Sequence, residues 1–575
     1  MKRYWKYIRP YIQYYILGPC FMMMEVVGDV LLPYMLAKII NQGIAERNVV
    51  YIIKIGVIMG FIAVIMAVGG ILGAWFASKA AMNFGADLRM DLFEKIQQFS
   101  FQNIDNFSTG SLITRLTNDI TQIQNMIMMT LRMCLRSPGI LIGAMVMAFV
   151  ISPKLAAIFI IVLPVLAVLI VVIMRRAFPQ FRTLQEKLDA LNSCIQEGLV
   201  GIRLIKSFVR GDYEEMRFEK RNQQLKEANL TAMKTMLLYT PLMTLALNIT
   251  TVVVVWSGGN MIVAGNMQVG DLTAFTNYIV QIMSSLTMLS IAFLNWARAI
   301  ASFRRVGEVL DEKIDLTDEN AKHKDRAVCE GSVEFQNVSF RYYKNSPEWV
   351  IENISFKLEA GKTLGIIGST GSGKSTLVSM IPRLYDTDEG TVLVDGINVR
   401  DYGLKPLREG IGMVLQNNTL FSGSITENLK WGDEDADENA VRTAAQNAQA
   451  AGFIDSFKDG YRTRLEQSGN NVSGGQKQRL CIARALLKCP KILILDDSTS
   501  AVDTATERAI REALHSEYKD MTKIIIAQRI RSVMDADEIL VLDNGKTAGF
   551  GTHEQLLADC PVYREIYDVQ NGREE

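Results

Sequence analysis

The hydrophobic positions of this chain are concentrated in its first half, where they form six long stretches with few charges. A membrane-spanning helix needs about 20 mostly apolar residues, and each stretch reaches or approaches that length. We therefore predict a six-span transmembrane domain of α-helices over residues 1–310. The spans cover approximately residues 14–40, 55–78, 136–154, 155–174, much of the uncharged run from 235, and 272–297.

The connections between these spans alternate between short and long. Residues 41–50, 152–154 and 258–270 are short, whereas 79–136 and 175–234 are long, helical in pattern and rich in Lys and Arg. By the positive-inside rule the long segments face the cytoplasm, and both termini are then cytoplasmic as well. A break in each long segment, near 106–110 and near 211–215, would allow a short helix to lie parallel to the membrane and press on a soluble domain.

Two acidic residues, Glu25 and Asp29, interrupt the first apolar stretch. They are four residues apart, so one helix face carries both. Charged groups in lipid cost a few kcal/mol each and normally face a cavity or a partner. The pair fits two interpretations equally well: a cation-attracting wall of a translocation path, or a pair held by hydrogen bonds to neighbouring helices.

The composition changes after residue 310. Residues 311–330 are charged and lack apolar periodicity, which indicates a linker. Residues 331–575 alternate strand-like runs, such as Lys491 to Leu495 and Lys523 to Ile526, with helical patterns. This alternation predicts a soluble α/β domain.

One stretch of the soluble half has the pattern G-x-x-x-x-G-K-[ST], preceded by a strand and followed by a helix. In this context the pattern is a phosphate-binding loop, whose glycines allow backbone N–H groups to surround phosphate oxygens. The lysine reaches the β- and γ-phosphates, and the serine hydroxyl is a ligand for Mg²⁺. The stretch consists of Gly368, Ser369, Thr370, Gly371, Ser372, Gly373, Lys374, Ser375 and Thr376.

Two further patterns indicate nucleotide chemistry. The apolar strand that ends at Leu495 is followed by Asp496, placed to hold Mg²⁺, and by Asp497, placed to polarise an attacking water. About twenty residues earlier, a hydroxyl and bare glycine amides begin a helix, and a helix start of this kind recognises phosphate. That segment consists of Ser473, Gly474, Gly475 and Gln476.

Charge and composition exclude some alternatives. The 61 basic and 61 acidic residues cancel, so no basic field indicates a nucleic-acid partner. The 7 cysteines are scattered and form no metal-binding spacing, and only 3 histidines occur in the chain.

Taken together, these motifs resemble the ATP-binding cassette of ABC transporters. The run from Val472 to Gln476 is similar to the family signature. Gln416, the turn that contains Ser500 and Asp503, and the aromatic Tyr342 match further cassette motifs in order. With six spans before one cassette, the chain resembles a half-transporter of the ABC exporter family. The resemblance implies ATP and Mg²⁺ as cofactors, Tyr342 stacked on adenine, a metal held by Ser375, Gln416 and Asp496, and a signature that serves the partner's ATP.

The chain departs from the family pattern at two catalytic positions. The family places Glu as the base, and this chain has Asp497, which is one methylene shorter. The family places His at the switch position, and this chain has Gln528, which cannot carry a positive charge. Upstream of the signature, Gln467 occupies a place where exporters often carry Glu. ATP binding should survive these changes and hydrolysis should be slow, because positioned bases contribute roughly 10²–10⁴-fold.

Since cassettes of this family close head to tail, the departures affect the chain's own phosphate-loop site and leave its signature complete. A heterodimer would retain one working site, as in the heterodimeric multidrug exporters of bacteria that the chain resembles. We therefore expect a plasma-membrane exporter of amphipathic drugs or lipids, with a second half-transporter as partner. The alternatives are a homodimeric exporter or lipid flippase, and an ATP-gated channel or regulatory cassette protein.

Overall fold

The computed structural model describes residues 2–344, 346–498 and 502–571, apart from the side chains of residues 2, 290, 291, 293–295, 297 and 298. Internal contacts divide the chain into two units. The first unit consists of Met1–Gln97 and Thr109–Asp311, and the second of Gln98–Ser108 and Glu312–Glu575. The short segment Gln98–Ser108 therefore belongs to the second unit, although it lies within the helical half of the sequence.

The regular elements described in the first unit are helices, as expected from long apolar runs without strand-like alternation. Two π-helical turns also occur. Ile39–Ile44 directly follows the helix that ends at Lys38, and Arg115–Asp119 directly precedes the helix that begins at Ile120. The helices are α1 (Trp5–Ile8), α2 (Ile12–Lys38), α3 (Val49–Gln97), α4 (Phe101–Asp105, in the second unit), α5 (Thr109–Thr114), α6 (Ile120–Met133), α7 (Arg136–Ile151), α8 (Pro153–Val200), α9 (Ile202–Ser207), α10 (Gly211–Leu237), α11 (Tyr239–Val263) and α12 (Val269–Asp311).

Five helical segments within the described part of the chain are long and apolar enough to cross a membrane. Four of them contain a predicted span completely, and Thr109–Ile151 contains the third predicted span up to residue 151. The sixth, over residues 272–297, falls inside α12, which is not among those five, so the count of six stays a prediction. The five segments are Trp5–Ile44, Val49–Gln97, Thr109–Ile151, Pro153–Val200 and Gly211–Val263.

Small residues allow α2 and α3 to pack closely, as is usual between membrane helices. A Cβ atom at Gly69 would lie 3.0 Å from the Phe21 carbonyl oxygen. One at Gly73 would lie 3.2 Å from the Gly18 carbonyl oxygen. Larger side chains at these positions would separate the two helices.

The two long segments between predicted spans are interrupted close to where the sequence predicted. Residues 106–108 separate α4 from α5, in agreement with the first predicted break. The second prediction was wrong by a few residues, because residues 208–210 separate α9 from α10, and Tyr213 lies inside α10. Asp212 and Glu214 are in the first turn of α10. Acidic residues stabilise a helix N-terminus, so these residues begin the helix that we expected them to interrupt.

The second unit contains a six-stranded sheet of order β12-β11-β3-β10-β9-β6 and a four-stranded antiparallel sheet of order β2-β1-β4-β5. Strands β11, β3, β10, β9 and β6 run parallel, and β12 pairs antiparallel at the edge. The strands are β1 (Val333–Phe340), β2 (Ile351–Leu358), β3 (Thr363–Gly368), β4 (Glu389–Val394), β5 (Ile397–Asn398), β6 (Ile411–Val414), β7 (Gly423–Ser424), β8 (Arg464–Leu465), β9 (Ile492–Asp496), β10 (Thr522–Ile526), β11 (Glu538–Asp543) and β12 (Lys546–Gly551).

Strands β9 and β10 are buried along their whole length, which explains their continuous Ile and Leu runs. Because parallel strands end at the same edge of a sheet, the loops after β3, β9 and β10 meet there. The helices of this unit are α13 (Lys374–Ser379), α14 (Leu404–Glu409), α15 (Ile425–Leu429), α16 (Glu438–Asn447), α17 (Ala451–Ser456), α18 (Gly474–Leu487), α19 (Thr504–Ser516), α20 (His553–Asp559) and α21 (Pro561–Asn571).

Candidate nucleotide-binding site

The loop between β3 and α13 has the conformation that a phosphate-binding loop requires. Gly371 and Gly373 have φ angles of 84° and 89°, in the left-handed region that favours glycine. A Cβ atom at Gly373 would lie 2.9 Å from the Val350 carbonyl oxygen. A larger residue could therefore not turn the backbone N–H groups inward at this position.

Lys374 begins α13 and its side chain folds back over the loop. Its Nζ donates hydrogen bonds to the carbonyl oxygens of Gly368, at 2.9 Å, and Ser369, at 2.7 Å. Burial lowers the pKa of this ammonium group, and the nearby carboxyl groups of Asp497 and Asp496 oppose that effect. The cation is thus held beside the loop's N–H groups, where it can reach a bound phosphate.

Ser375 and Asp496 bring a hydroxyl and a carboxyl group together at the end of β9. The Ser375 Oγ donates to Asp496 Oδ1 at 2.9 Å, and Asp496 is only 4% exposed. Burial raises the pKa of Asp496, whereas the Ser375 hydrogen bond lowers it. Hydroxyl and carboxylate oxygens are ligands that Mg²⁺ prefers, so this pair suits that ion chemically.

Asp497 occupies a conformation that non-glycine residues rarely adopt. Its φ angle is 46°, and its N–H donates to the Ile526 carbonyl oxygen at 3.1 Å. Gln528 Nε2 donates to Asp497 Oδ2 at 2.7 Å, and the Gln416 side chain also hydrogen-bonds this carboxyl group. Burial raises the pKa of Asp497, and both amide side chains oppose the shift. Two neutral amide side chains therefore hydrogen-bond the carboxylate at the base position.

A cavity of about 220 Å³ opens between these groups. Most of the residues that line it are far apart in the chain, and the sequence predicted them to form one nucleotide site. The loop residues Gly368, Ser369 and Ser372 lie in the same turn without lining the cavity. The lining residues are Val350, Thr370, Gly371, Gly373, Lys374, Ser375, Thr376, Gln416, Asp496, Asp497, Ile526 and Gln528.

Tyr342, the predicted adenine contact, joins the loop through a hydrogen bond of 2.9 Å between its hydroxyl and that of Thr376. Its ring packs edge-on against Tyr385, with centroids 5.3 Å apart. Tyr385 was missed in the sequence, and it also donates from its hydroxyl to Asp105 Oδ2 at 2.9 Å. Asp105 ends α4, so the aromatic group beside the loop also contacts the short helix. No local pattern connects residues 280 positions apart.

The signature residues lie at the start of α18 and do not line the cavity. The Ser473 hydroxyl accepts from the Gln476 N–H at 3.3 Å, and Gln476 Oε1 accepts from the Ser473 N–H at 2.9 Å. This capping box leaves Gly474 and Gly475 at the exposed helix N-terminus, where N–H groups favour anions. Asp503 caps α19, accepting from the Thr506 N–H at 3.0 Å. Ser500 lies outside the described residues.

In the first unit, Glu25 and Asp29 share one guanidinium group. Arg136 Nη2 lies 2.9 Å from Glu25 Oε1 and 3.3 Å from Asp29 Oδ2. Gln281 Nε2 donates to the Asp29 carbonyl oxygen at 2.7 Å. The sequence had used Arg136 only as a boundary of the third span and missed it as a partner. Two carboxyl groups facing one cation leave one negative charge in excess when all three groups are ionised.

Comparisons with known proteins agree with this geometry. Residues 15–286 match the ABC transporter transmembrane region, and residues 351–500 match the ABC transporter ATP-binding domain. The chain is 39% identical to the uncharacterised ABC transporter ATP-binding protein YfiB of Bacillus subtilis, covering 100% of this chain and 99% of that one. It is 33% identical to YgaD of the same organism, provisionally named a multidrug export ATP-binding/permease protein, over 99% of both.

Among solved structures, a bacterial Atm1-family ABC exporter with ATP bound has a similar fold. The TM-score is 0.81 at 24% identity, and the match covers 98% of both chains. At that identity the likeness concerns the fold, in which a helical region and an ATP-binding domain occur in one chain.

Proposed function

We propose, since this chain belongs to the ABC transporter family and is an ATPase-coupled membrane transporter, that it exports amphipathic compounds as one half of a heterodimer. In this proposal its own phosphate-loop site binds ATP and hydrolyses it poorly. The observation that carries the proposal is the 2.7 Å hydrogen bond from the neutral Gln528 amide to the carboxylate of Asp497.

The chemistry of that pair explains a slow site. A base that activates water must reach the water and accept its proton, and Asp497 is one methylene shorter than glutamate. The amides of Gln528 and Gln416 hydrogen-bond the carboxylate oxygens that a water would have to reach. Because burial raises the pKa of Asp497 overall, the loss lies in the position of the base and not in its basicity. Gln528 also supplies no positive charge for the γ-phosphate. Misplacing a positioned base removes much of its roughly 10²–10⁴-fold contribution to the rate.

Nucleotide binding rests on different residues, which have the contacts that binding requires. The loop from Gly368 to Thr376 surrounds the phosphates, Lys374 adds a cation, and Tyr342 stacks on the adenine. Mg²⁺ would be held by Ser375, Gln416 and Asp496. When bound, that ion neutralises phosphate charge and orients the β- and γ-phosphates.

The signature of this chain would complete the partner's site. The exposed N-terminus of α18, with Ser473, Gly474, Gly475 and Gln476, is assigned to the partner's γ-phosphate. The turn with Ser500 and Asp503 is assigned to the same interface. A partner with Glu and His at its own catalytic positions would then hydrolyse ATP at a fully equipped site.

The transport cycle follows from this division. ATP binding closes the two cassettes, the short helices α4 and α9 transmit the closure, and six spans change from inward- to outward-facing. The transmembrane domain is assigned to residues 1–310, the linker to 311–330 and the cassette to 331–575. We propose that the transporter lies in the plasma membrane and that both of its termini are in the cytoplasm.

The cargo is proposed to be an amphipathic drug or a lipid, supported by the multidrug export named for YgaD. Glu25, Asp29 and Arg136 form a polar group with excess negative charge, which would attract cationic cargo to a path through the first unit. Glu25→Gln is expected to slow uptake of a cationic dye into inverted vesicles and to spare a neutral labelled lipid. Equal effects on both cargoes would remove the charge-selective role.

The decisive experiment for the heterodimer is the native mass of the detergent-purified complex, taken from its own host with a tag on this chain alone. We expect one copy of the chain plus a different chain of similar size. A mass of two identical copies would overturn the proposal and return Asp497 to the role of a working base. Steady, ATP-gated conductance without uphill transport would instead indicate a channel.

A further inference from the structure

A second cavity of the ATP-binding unit, about 840 Å³ in volume, shares no lining residue with the nucleotide site. Strand β10, helix α19, the turn after Gln528 and helix α21 surround it. Five basic side chains line this cavity, against two acidic ones, Glu512 and Asp535. The basic residues are Arg508, Arg511, His515, Lys523 and Arg531.

Lys523 is the most buried of these basic residues, with 4% of its surface exposed. No hydrogen bond or ion pair of its ammonium group occurs among the described residues. The acid that most affects its charge, Asp537, already accepts from Lys362 Nζ at 3.1 Å and from the Thr363 N–H at 2.8 Å. Burial lowers the pKa of Lys523. The ammonium nitrogen is accessible from the cavity, so a partner for this otherwise enclosed side chain would have to lie there.

Arg511 also lines the cavity, and its guanidinium group is only partly paired. Its Nη1 donates to the Arg531 carbonyl oxygen and lies 3.4 Å from Asp535 Oδ2. Its Nε is buried and has no hydrogen-bond partner in the part of the chain that the structure describes. Buried polar groups nearly always have a partner. Two independent cationic side chains therefore lack full partners at one cavity.

Part of the lining is apolar. Leu514 and Ile525 are buried, Met534 is partly buried, and Tyr567 adds an aromatic ring. A ligand that pairs with the cationic side chains and also packs against the apolar ones needs an anionic group and an apolar body. A bare inorganic anion would satisfy only the cations.

We propose that this cavity binds a small organic anion, with its phosphate or carboxylate group between Lys523 and Arg511 and its apolar part against Leu514, Ile525 and Met534. The anion supplies the partners that both cations lack. The proposal is independent of the heterodimer and of the cargo, since it rests only on the contacts of the ATP-binding unit.

The test uses pyridoxal 5′-phosphate as a probe on the detergent-purified full-length protein. Its aldehyde carbon forms an imine with a lysine Nζ and releases water, and borohydride then delivers hydride to that carbon, giving a stable amine. Incorporation at each lysine is measured by peptide mass spectrometry. Pyridoxal, which has the same aldehyde and ring but no phosphate, is the matched probe.

We expect Lys523 to incorporate about tenfold more phosphate-bearing probe than pyridoxal, because charge-assisted hydrogen bonds contribute about 1.5–3 kcal/mol. Phenyl phosphate should compete for this labelling. Arg511→Gln should reduce it about tenfold, and Lys405→Met, at an exposed lysine of α14 outside the cavity, should leave it unchanged. Equal incorporation of the two probes at Lys523, or labelling there no greater than at exposed lysines outside the phosphate loop, would overturn the proposal without any variant having to fold.

Discussion

Two regions of the ATP-binding unit, the chain's own pocket and the start of its signature helix, differ in how their polar groups are used. In the pocket, the base-position carboxylate of Asp497 is hydrogen-bonded by the Gln528 and Gln416 amides. At the signature helix, Ser473 and Gln476 bond each other, and the glycine N–H groups between them stay exposed. Under the proposed function, the groups assigned to phosphate binding are present in both regions, and only those assigned to water activation are altered.

If the proposed function holds, this difference separates the residues of one pocket that bind the nucleotide from those that hydrolyse it. The loop, Lys374, Ser375 and Asp496 provide positive charge and oxygen ligands. Asp497 and Gln528 provide the proton acceptor and the γ-phosphate contact. A chain can therefore weaken hydrolysis at its own site and still offer a complete signature to another chain.

The largest effect should come from Ser473→Ala in the native complex, with ATP turnover reduced about tenfold or more. The change removes the hydroxyl assigned to the partner's phosphate. Because it also removes a helix cap worth about 1 kcal/mol, Ser424→Ala is the matched control. Ser424 begins α15 with the same type of capping box. Equal losses in both variants would mean that helix capping alone explains the effect.

We expect a higher ATPase rate when both altered positions are given the residues that the family has there. Asp497→Glu combined with Gln528→His should raise the ATPase rate of the chain purified alone by about tenfold, because it returns a longer base and a side chain that can be charged. The same pair with Lys374→Ala should show no gain. An unchanged rate in the restored variant would place the slow step outside these two residues.

A smaller effect should follow Asp497→Ala in the native complex, where turnover should fall by less than about twofold. The working site would belong to the partner, so this base position contributes little. ATPase assays of the purified complex at saturating ATP measure it. Loss of nearly all turnover would show that Asp497 is a working base. The chain's own pocket would then hydrolyse ATP as well as the site that its signature helix completes.

The smallest effect concerns stability. Burial raises the folded-state pKa of Asp497 above its unfolded value of 3.8, so folding is favoured at low pH and this stability is lost as pH rises through the folded pKa. Asp497→Asn should thus raise the melting temperature at pH 7 by about 2 °C, and the gain should shrink toward pH 4. Asp503 is the control, because helix-cap hydrogen bonds lower its pKa and Asp503→Asn should give no such gain. Scanning fluorimetry at several pH values checks both.

Some parts of this protein could be predicted because they depend on neighbouring residues. The phosphate loop requires glycines between a strand and a helix, and the structure has β3 and α13 on either side of it. The apolar runs placed five spans inside helices of sufficient length. The break near 211–215 was misplaced because Gly211 was read as an interruption, whereas the acidic residues after it stabilise a helix start.

Other parts were decided only by tertiary packing. Arg136 meets Asp29 across 107 residues, and Tyr385 meets Asp105 across 280. Lys523 is an ordinary strand residue in the sequence, and only the packing of α19 and α21 around β10 makes it a buried cation in a cavity. The sequence by itself thus determined the family and the phosphate-loop pattern, since local backbone geometry requires particular residues there, and it predicts altered catalytic positions at Asp497 and Gln528. Partners distant in the chain depend on how helices and strands pack, and no local pattern records that packing.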